Sequence, residues 1–285
     1  MIHFDTYEKV ANGEIYKTGF EHLTTESLRK FHNWIKLQLI FEAKRISSGD
    51  KLLDVAVGRG GDIFKWAKAK FKYVTGFDSD KKAIYEKRDF PGAIERYNSV
   101  KCDLNIPKCY FWNISATDSD VLAKVNGKDR ACMYDTVSCQ FSFNYFVKDI
   151  DIVLNFISKK LKPGGIFIGT ATDGDLIEKN LEVKCIDKSA LKIKRINEEM
   201  YDFELISEKS SRETYFEYRG ASSEYFLYKD FLIEKCKEYD MHLVSILNFH
   251  EWIQKYYLNN LSKEEMMCSF LNFSFIFIKQ PECVF

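Results

Sequence analysis

Short apolar runs, each stopping at glycine or an acidic residue and separated by stretches of helical spacing, constrain this chain more than any other feature. Lys51-Leu52-Leu53-Asp54-Val55-Ala56-Val57 ends in Gly58-Arg59-Gly60-Gly61, and Asp62-Ile63-Phe64-Lys65-Trp66-Ala67 restarts a helical pattern. Tyr73-Val74-Thr75-Gly76-Phe77 is a second run, closed by Asp78-Ser79-Asp80, and a helix follows through Arg96-Tyr97. Further strands are expected near Cys109–Trp112, Tyr134–Ser138 and Ile166–Ala171, with helices near Asp118–Val125 and Asp149–Lys160. Leu161-Lys162-Pro163-Gly164-Gly165 reads as a helix end followed by a turn. This alternation predicts βαβ units around a mostly parallel sheet.

Upstream, Thr24 to Ile46 carries Leu28, Phe31, Trp34, Ile35, Leu39 and Ile40 on one stripe. It predicts a helix of about six turns capped by Thr24 or Thr25. From Leu181 to Phe226 the pattern breaks into polar stretches that read as an irregular insertion. Helix returns at Lys229–Tyr239, followed by a strand at Leu243–Leu247, more helix, and a terminal strand at Phe273–Ile278. With 285 residues, four prolines and no internal repeat, the expectation is one domain over 1–285. Its parts would be a helical cap (1–48), a binding core (49–180), an insertion (181–227) and a return to the core (228–285).

Lys and Arg number 42 against 42 Asp and Glu, which excludes a strongly basic non-specific nucleic-acid binder. It leaves open a nucleic-acid enzyme with a local basic face: Lys65, Lys68, Lys70 and Lys72 read as a solvated helix side or as a track for RNA phosphates, with Lys192, Lys194 and Arg195 a weaker candidate. No apolar run is long enough to cross a membrane, and Met1-Ile2-His3-Phe4-Asp5 does not open a secretory leader, so a cytoplasmic setting is expected. The eight cysteines form no CxxC and pair with no ligand-spaced histidine. They read as buried free thiols, as in Ala131-Cys132-Met133-Tyr134, and no metal site is expected.

The glycine turn lets backbone N–H groups approach a ligand at a helix start. Asp78 stands 24 residues after Asp54, where a carboxylate can accept both hydroxyls of a ribose. Ala56, Gly58 and Gly61 give A-x-G-x-x-G and not the dinucleotide fingerprint, and Asp62 would repel a pyrophosphate. A plain strand-to-helix turn is the alternative; a phosphate-free cationic cofactor such as S-adenosylmethionine, with its ribose, adenine and sulfonium, fits better than a dinucleotide. A second constellation, Ser138-Cys139-Gln140-Phe141-Ser142-Phe143-Asn144-Tyr145, ends the fourth strand. Its aromatics and amides suit a purine base, or equally a core with Asn144 in a turn.

Leu53-Asp54-x-x-x-Gly58-x-Gly60-Gly61-Asp62, Gln140-Phe141-Ser142-Phe143-x-Tyr145 and Leu161-x-Pro163-Gly164-Gly165 together resemble the mRNA cap (guanine-N7) methyltransferase family. Phe31-His32-Asn33-Trp34-Ile35-Lys36 resembles its motif before the first strand, and Glu224-Tyr225-Phe226 its late cap-contact motif. The likeness runs from about Leu28 to Lys279. Glu95-Arg96-Tyr97-Asn98 and Asp173-Gly174-Asp175 resemble the branch of multifunctional capping enzymes in large cytoplasmic DNA viruses, African swine fever virus among them.

The resemblance implies a Rossmann-like class I S-adenosylmethionine-dependent methyltransferase, α/β, with a seven-stranded sheet, helices on both faces and an insertion after strand five. It implies a cofactor pocket of Lys36, Asp54, Ala56, Gly58, Asp78, Asp118, Gln140 and Tyr145, supported by Arg96. Lys36 would take the methionine carboxylate and Asp118 the adenine amino group. His32 or Asn33, Asp62, Phe141, Asn144, Tyr145 and Glu224 would face the cap guanosine. Capped RNA would be the substrate, with guanylyltransferase and RNA triphosphatase domains fused or associated. No acid–base catalyst is expected, because guanine N7 carries a free lone pair.

Three departures stand out. Ala56 replaces the first glycine of the usual Gly-x-Gly, so the backbone there must avoid positive φ or approach the cofactor less closely. Asn144 stands where many members have histidine, and the proline usual after the fifth strand is replaced near Thr172. The family's late tyrosine falls near Asn272-Phe273. A small-molecule methyltransferase and a non-catalytic methyltransferase-like partner are the rival readings.

Overall fold

The computed structural model describes residue 8 and residues 26–88, 90–129, 132–181, 186–188, 191–205, 221–256 and 261–280; Thr24, Thr25, Cys185 and Cys283 lie outside them. The apolar runs of the first half become β1 (Lys51–Val55), β2 (Tyr73–Asp78), β3 (Lys108–Asn113), β4 (Tyr134–Gln140) and β5 (Leu161–Thr172). β1 pairs in parallel with β2 and β4, β2 with β3, and β4 with β5. A second sheet follows, from β6 (Ile186–Lys188), β7 (Leu191–Arg195), β8 (Met200–Leu205) and β9 (Ser222–Tyr225). β10 (Met241–Asn248) and β11 (Asn272–Lys279) rejoin the first sheet.

The seven-stranded sheet has the order β10-β11-β5-β4-β1-β2-β3. From β1 the chain proceeds outward through β2 to β3, then returns to the other side of β1 through β4 and β5. The strand order reverses between β1 and β4, and the carboxyl ends of strands at such a reversal form the ligand crevice of open α/β sheets. Leu52, Leu53 and Val55 of β1 and Val137 and Cys139 of β4 are all buried, which explains their near-continuous apolar sequence.

Pro163-Gly164-Gly165 lies inside β5, not in a turn before it. Tyr134 pairs with Leu161 and Thr136 with Ile166, so β5 carries extra residues at this point, and Gly164 takes a φ of +73°. The expected turn is a bulge within the strand.

By its internal contacts the chain forms two compact units, one from Met1–Ile35, Ala171–Phe231 and Ile246–Ser274, the other from Lys36–Thr170, Leu232–Ser245 and Phe275–Phe285. In the latter, Phe143, Phe167 and Phe275 are fully buried, with ring centroids 5.8 Å (Phe143–Phe167) and 5.0 Å (Phe167–Phe275) apart. Lys160, at the end of helix Ile150–Lys160, is buried too, with Nζ 2.8 Å from Asp129 Oδ2 and 3.0 Å from Asn126 Oδ1. Cys109, Cys139, Cys236 and Cys268 are buried free thiols, but Cys102 is exposed. Cys132 is only partly covered and sits 3.2 Å from Lys51 Nζ.

In the other unit the stretch read as an irregular insertion is an antiparallel sheet of order β6-β7-β8-β9. Leu191, Ile193, Tyr201 and Phe203 alternate inward on β7 and β8. The helix Glu26–Ser47 starts in this unit, where Glu265 Oε1 accepts the Leu28 N–H at 3.1 Å. Glu265 also closes a capping box with Ser262 at helix Lys263–Phe270, so one buried carboxylate satisfies two helix starts.

Candidate active site

The turn after β1 is built by left-handed backbone. Ala56, Gly58 and Gly60 have φ of +59°, +53° and +71°. Ala56 therefore does not avoid positive φ, the first of the two alternatives expected for it, and the left-handed conformation costs about 1–2 kcal/mol. The Val57 N–H donates to Phe77 O at 3.0 Å, pinning the turn to β2. At Gly60 a Cβ would press on Ile63 and Ala93, whereas at Gly58 and Gly61 it would meet nothing within 4 Å. Gly58 thus serves its φ, and Gly60 both φ and packing.

Asp78 closes β2 and faces this turn. Its Oδ2 accepts the Gly58 N–H and its Oδ1 the Asp80 N–H, both at 2.8 Å. Burial still pushes the carboxyl above its ordinary value, against those two backbone donors. Asn113 Nδ2 donates to the Asp78 and Ser79 carbonyls at 2.9 and 2.8 Å and fixes the bend. A cavity of about 210 Å³ opens here, lined by Ala56, Asp78, Ile114, Ala116, Tyr145 and Phe146 among others. Ile114, Ala116 and Phe146 were not singled out in the sequence. The signal was available for two of them, since Ile114 and Ala116 follow β3 at the same carboxyl edge.

A charged cluster lies in the same unit. Lys36 and Lys65 Nζ stand 2.8 and 2.7 Å from Asp62 Oδ1. These are ionic contacts off the hydrogen-bond directions, whereas Lys36 donates to Oδ2 at 3.1 Å. Burial opposes the Asp62 charge, but the two ammonium groups outweigh it and hold the carboxyl well below the usual range. Asp54, fully buried in β1, is shifted the other way, by burial and by the Asp62 charge. Lys65 was expected on a solvated basic face; its side chain is 13% exposed and committed to Asp62. Lys72 pairs with Asp50 and Arg195 with Glu178, which further divides the expected basic faces.

The Gln-Phe-Ser-Phe-x-Tyr segment separates into core and surface. Phe143 and Asn144 are buried, while Tyr145 is 38% exposed and lines the cavity. Gln140 donates to Ser138 Oγ at 3.2 Å and accepts from Thr170 Oγ1 at 3.1 Å. Phe141, at φ +55°, donates its N–H to Thr170 O and Oγ1 at 2.9 and 3.0 Å. Asp118 pairs with Lys124 at 2.8 Å and is not among the cavity's lining residues. Arg96 is half-buried on helix Ala93–Val100.

His32, Asn33 and Glu224 belong to the other unit. His32 is a core residue there, its Nε2 2.9 Å from Ser269 Oγ and its ring edge-on to Phe249 at 5.0 Å. Asn33 is exposed. Glu224, on β9, is buried, and its Oε2 accepts from Tyr201 OH at 2.8 Å and from Thr172 Oγ1 at 3.3 Å. Tyr201 escaped the sequence reading, although Tyr201-x-Phe203 alternates as a half-buried strand should.

No helix among the described residues is long and apolar enough to cross a membrane. Among them, too, no group of three His, Cys, Asp or Glu is placed to hold a metal ion.

The sheet order and the cavity at the strand ends define the fold of S-adenosylmethionine-dependent methyltransferases. A putative methyltransferase of that type from Listeria monocytogenes superposes with a TM-score of 0.57 at 15% identity, covering 90% of this chain and 100% of that one. A family model for the mRNA (guanine-N(7))-methyltransferase domain matches residues 7–271, and the chain belongs to that family. It is 32% identical over 176 residues to a probable mRNA-capping enzyme of Acanthamoeba polyphaga mimivirus, covering 55% of this chain and 15% of that protein. It is 31% identical over 242 residues to mRNA cap guanine-N(7) methyltransferase 1 of Arabidopsis thaliana, covering 80% of this chain and 62% of that protein. The chain thus spans less than two thirds of these curated relatives. The viral likeness found is to mimivirus and does not single out African swine fever virus. Fold and family together indicate S-adenosylmethionine as the methyl donor.

Proposed function

We propose that the chain transfers a methyl group from S-adenosylmethionine to N7 of the terminal guanosine of capped RNA. The observation that carries this is the family match over residues 7–271. The residues present suit the cofactor. Asp78 offers carboxylate lone pairs to ribose hydroxyls, Ile114, Ala116 and Phe146 give the cavity an apolar wall for a base, and Asp62 with Lys36 supplies both signs for an amino-acid end. Lys36 would exchange Asp62 for a ligand carboxylate. Ala56 does not speak for a decayed pocket, since the turn keeps its left-handed form.

S-adenosylmethionine supplies an electrophilic methyl carbon on a sulfonium. This chain's residues supply position and charge. Guanine N7 is unprotonated at neutral pH, so no side chain has to remove a proton. Orientation alone can contribute about 7–11 kcal/mol. Glu224 accepts from the guanine N1–H and N2–H2 edge and offsets the positive charge that develops on the base. Asp62, expected at the cap, is paired with Lys36 and Lys65 and is assigned to the amino-acid end, which leaves Phe141, Asn144 and Tyr145 as candidates for cap contact, with Asn33 preferred over the packed His32. Capping domains with guanylyltransferase and triphosphatase activity would supply the GpppN end, in cis or in trans, and a cytoplasmic setting fits a viral capping enzyme.

The test is incubation of the chain with labelled S-adenosylmethionine and GpppA-capped RNA. Label in 7-methylguanosine after nuclease digestion is expected; a cap left unlabelled while a small molecule is methylated would overturn the reading.

A further inference from the structure

Glu224 is held by neighbours that the assignment of cap contacts does not include. It stands directly opposite Tyr201 in the β8–β9 ladder, and Tyr201 is fully buried. The Tyr201 ring packs on Phe226 with centroids 4.9 Å apart, which fixes where the phenol oxygen can be. From there its hydroxyl donates to Glu224 Oε2 at 2.8 Å.

Thr172 approaches the same oxygen at 3.3 Å and the Asn272 amide oxygen at 3.5 Å. Asn272 is itself oriented, because its Nδ2 donates to the Cys268 and Ser269 carbonyls at 3.2 and 3.0 Å. A threonine hydroxyl has a single proton, so Thr172 divides it between two acceptors, whereas Tyr201 spends its proton on Glu224. A proline at position 172 would offer no hydroxyl at all. Both groups converge on Oε2 and restrict how the carboxylate can turn.

We infer that Tyr201 is the positioning residue for guanine recognition, with Thr172 as its weaker second, and that base selectivity depends on this hydroxyl on β8. The inference rests on the reading that Glu224 accepts the guanine edge. A carboxylate free to rotate accepts one donor nearly as well as two, so loosening Glu224 erodes discrimination by the N2 amino group before it abolishes binding.

The test is calorimetric binding of GpppA and IpppA dinucleotides, the latter lacking the N2 amino group, to the parental chain and to Tyr201→Phe, Thr172→Val and Glu224→Gln. The parental chain should prefer GpppA by on the order of 10-fold, as one charge-assisted hydrogen bond allows. Tyr201→Phe should bring that ratio to within about 2-fold, and Thr172→Val should lower it about 2-fold. Both should bind S-adenosylmethionine as the parental chain does. If Glu224→Gln keeps the parental ratio, the Glu224 reading fails and the inference with it. If Glu224→Gln loses the ratio while Tyr201→Phe and Thr172→Val both keep it, the Glu224 reading stands and the positioning role is overturned. Should Tyr201→Phe fail to fold, an unchanged ratio in Thr172→Val alone overturns the shared role.

Discussion

The two sheets hold one carboxylate each, Asp78 and Glu224, by different means. At the carboxyl edge of the parallel sheet, Asp78 is fixed by the Gly58 and Asp80 N–H groups. In the antiparallel sheet, Glu224 is fixed by the hydroxyls of Tyr201 and Thr172. Backbone donors are set by strand register and survive most substitutions. Side-chain donors are lost with one atom. The ribose contact should therefore tolerate changes around it and fail at Asp78 itself, whereas guanine recognition should depend on a wider ring of single residues.

The largest expected effect is on stability and falls in the parallel sheet's unit. Lys160→Ala leaves Asp129 buried opposite Tyr134 with no ammonium, which should cost about 3–5 kcal/mol in denaturant unfolding. A loss under about 1 kcal/mol would mean that water reaches the Asp129 carboxylate.

Asp78→Ala comes next, with S-adenosylmethionine affinity reduced on the order of 100-fold, because charge-assisted contacts to two hydroxyls go together. Unchanged affinity by calorimetry removes Asp78 from the cofactor site.

A smaller effect concerns pH. Burial and the Asp62 charge raise the Asp54 carboxyl, so the folded chain holds that proton more tightly than the unfolded chain. Its contribution to stability is full below the unfolded value of about 3.9 and is lost as pH rises through the folded value. Asp50 has the opposite sign. Lys44 and Lys72 hold it down to about 2, so its contribution is present above the unfolded value and lost as pH falls through the folded one. Asp54→Asn should flatten the fall of the melting temperature as pH rises above the unfolded carboxyl value; an unaltered profile would mean that Asp54 holds its proton no more tightly in the folded chain than in the unfolded one.

The smallest expected effect is none. With saturating substrates, the methylation rate should stay level from about pH 6.5 to about pH 8.5, since no group has to gain or lose a proton. A bell-shaped profile at saturation would reveal a catalytic acid or base.

The parallel sheet was legible because its central strands β1, β2, β4 and β5 are largely buried and read as apolar runs, the first two punctuated by Gly58 and Asp78. The antiparallel sheet was not, because its inward residues alternate with charge. Leu191-Lys192-Ile193-Lys194-Arg195 shows a period of two that its lysines obscure, and the strand is only five residues long. Among site residues, Asp78 and Gly58 were readable from their place at strand ends. Lys65 reads as surface from its run of lysines, but its spacing to Asp62, the helix N-cap three residues back, brings it onto that carboxylate. Tyr201 lies 23 residues from Glu224, a pairing that only the β8–β9 register reveals.

The division of labour between the two sheets is tested most directly by measuring S-adenosylmethionine affinity and cap methylation side by side for Asp78→Ala and Glu224→Gln. Asp78→Ala should lose cofactor affinity. Glu224→Gln keeps the shape but turns a donor toward the guanine donors, so it should keep parental cofactor affinity and lose on the order of 10-fold in cap methylation at saturating cofactor. Parallel losses in both measurements for both variants, or a parental methylation rate in Glu224→Gln, would contradict the account.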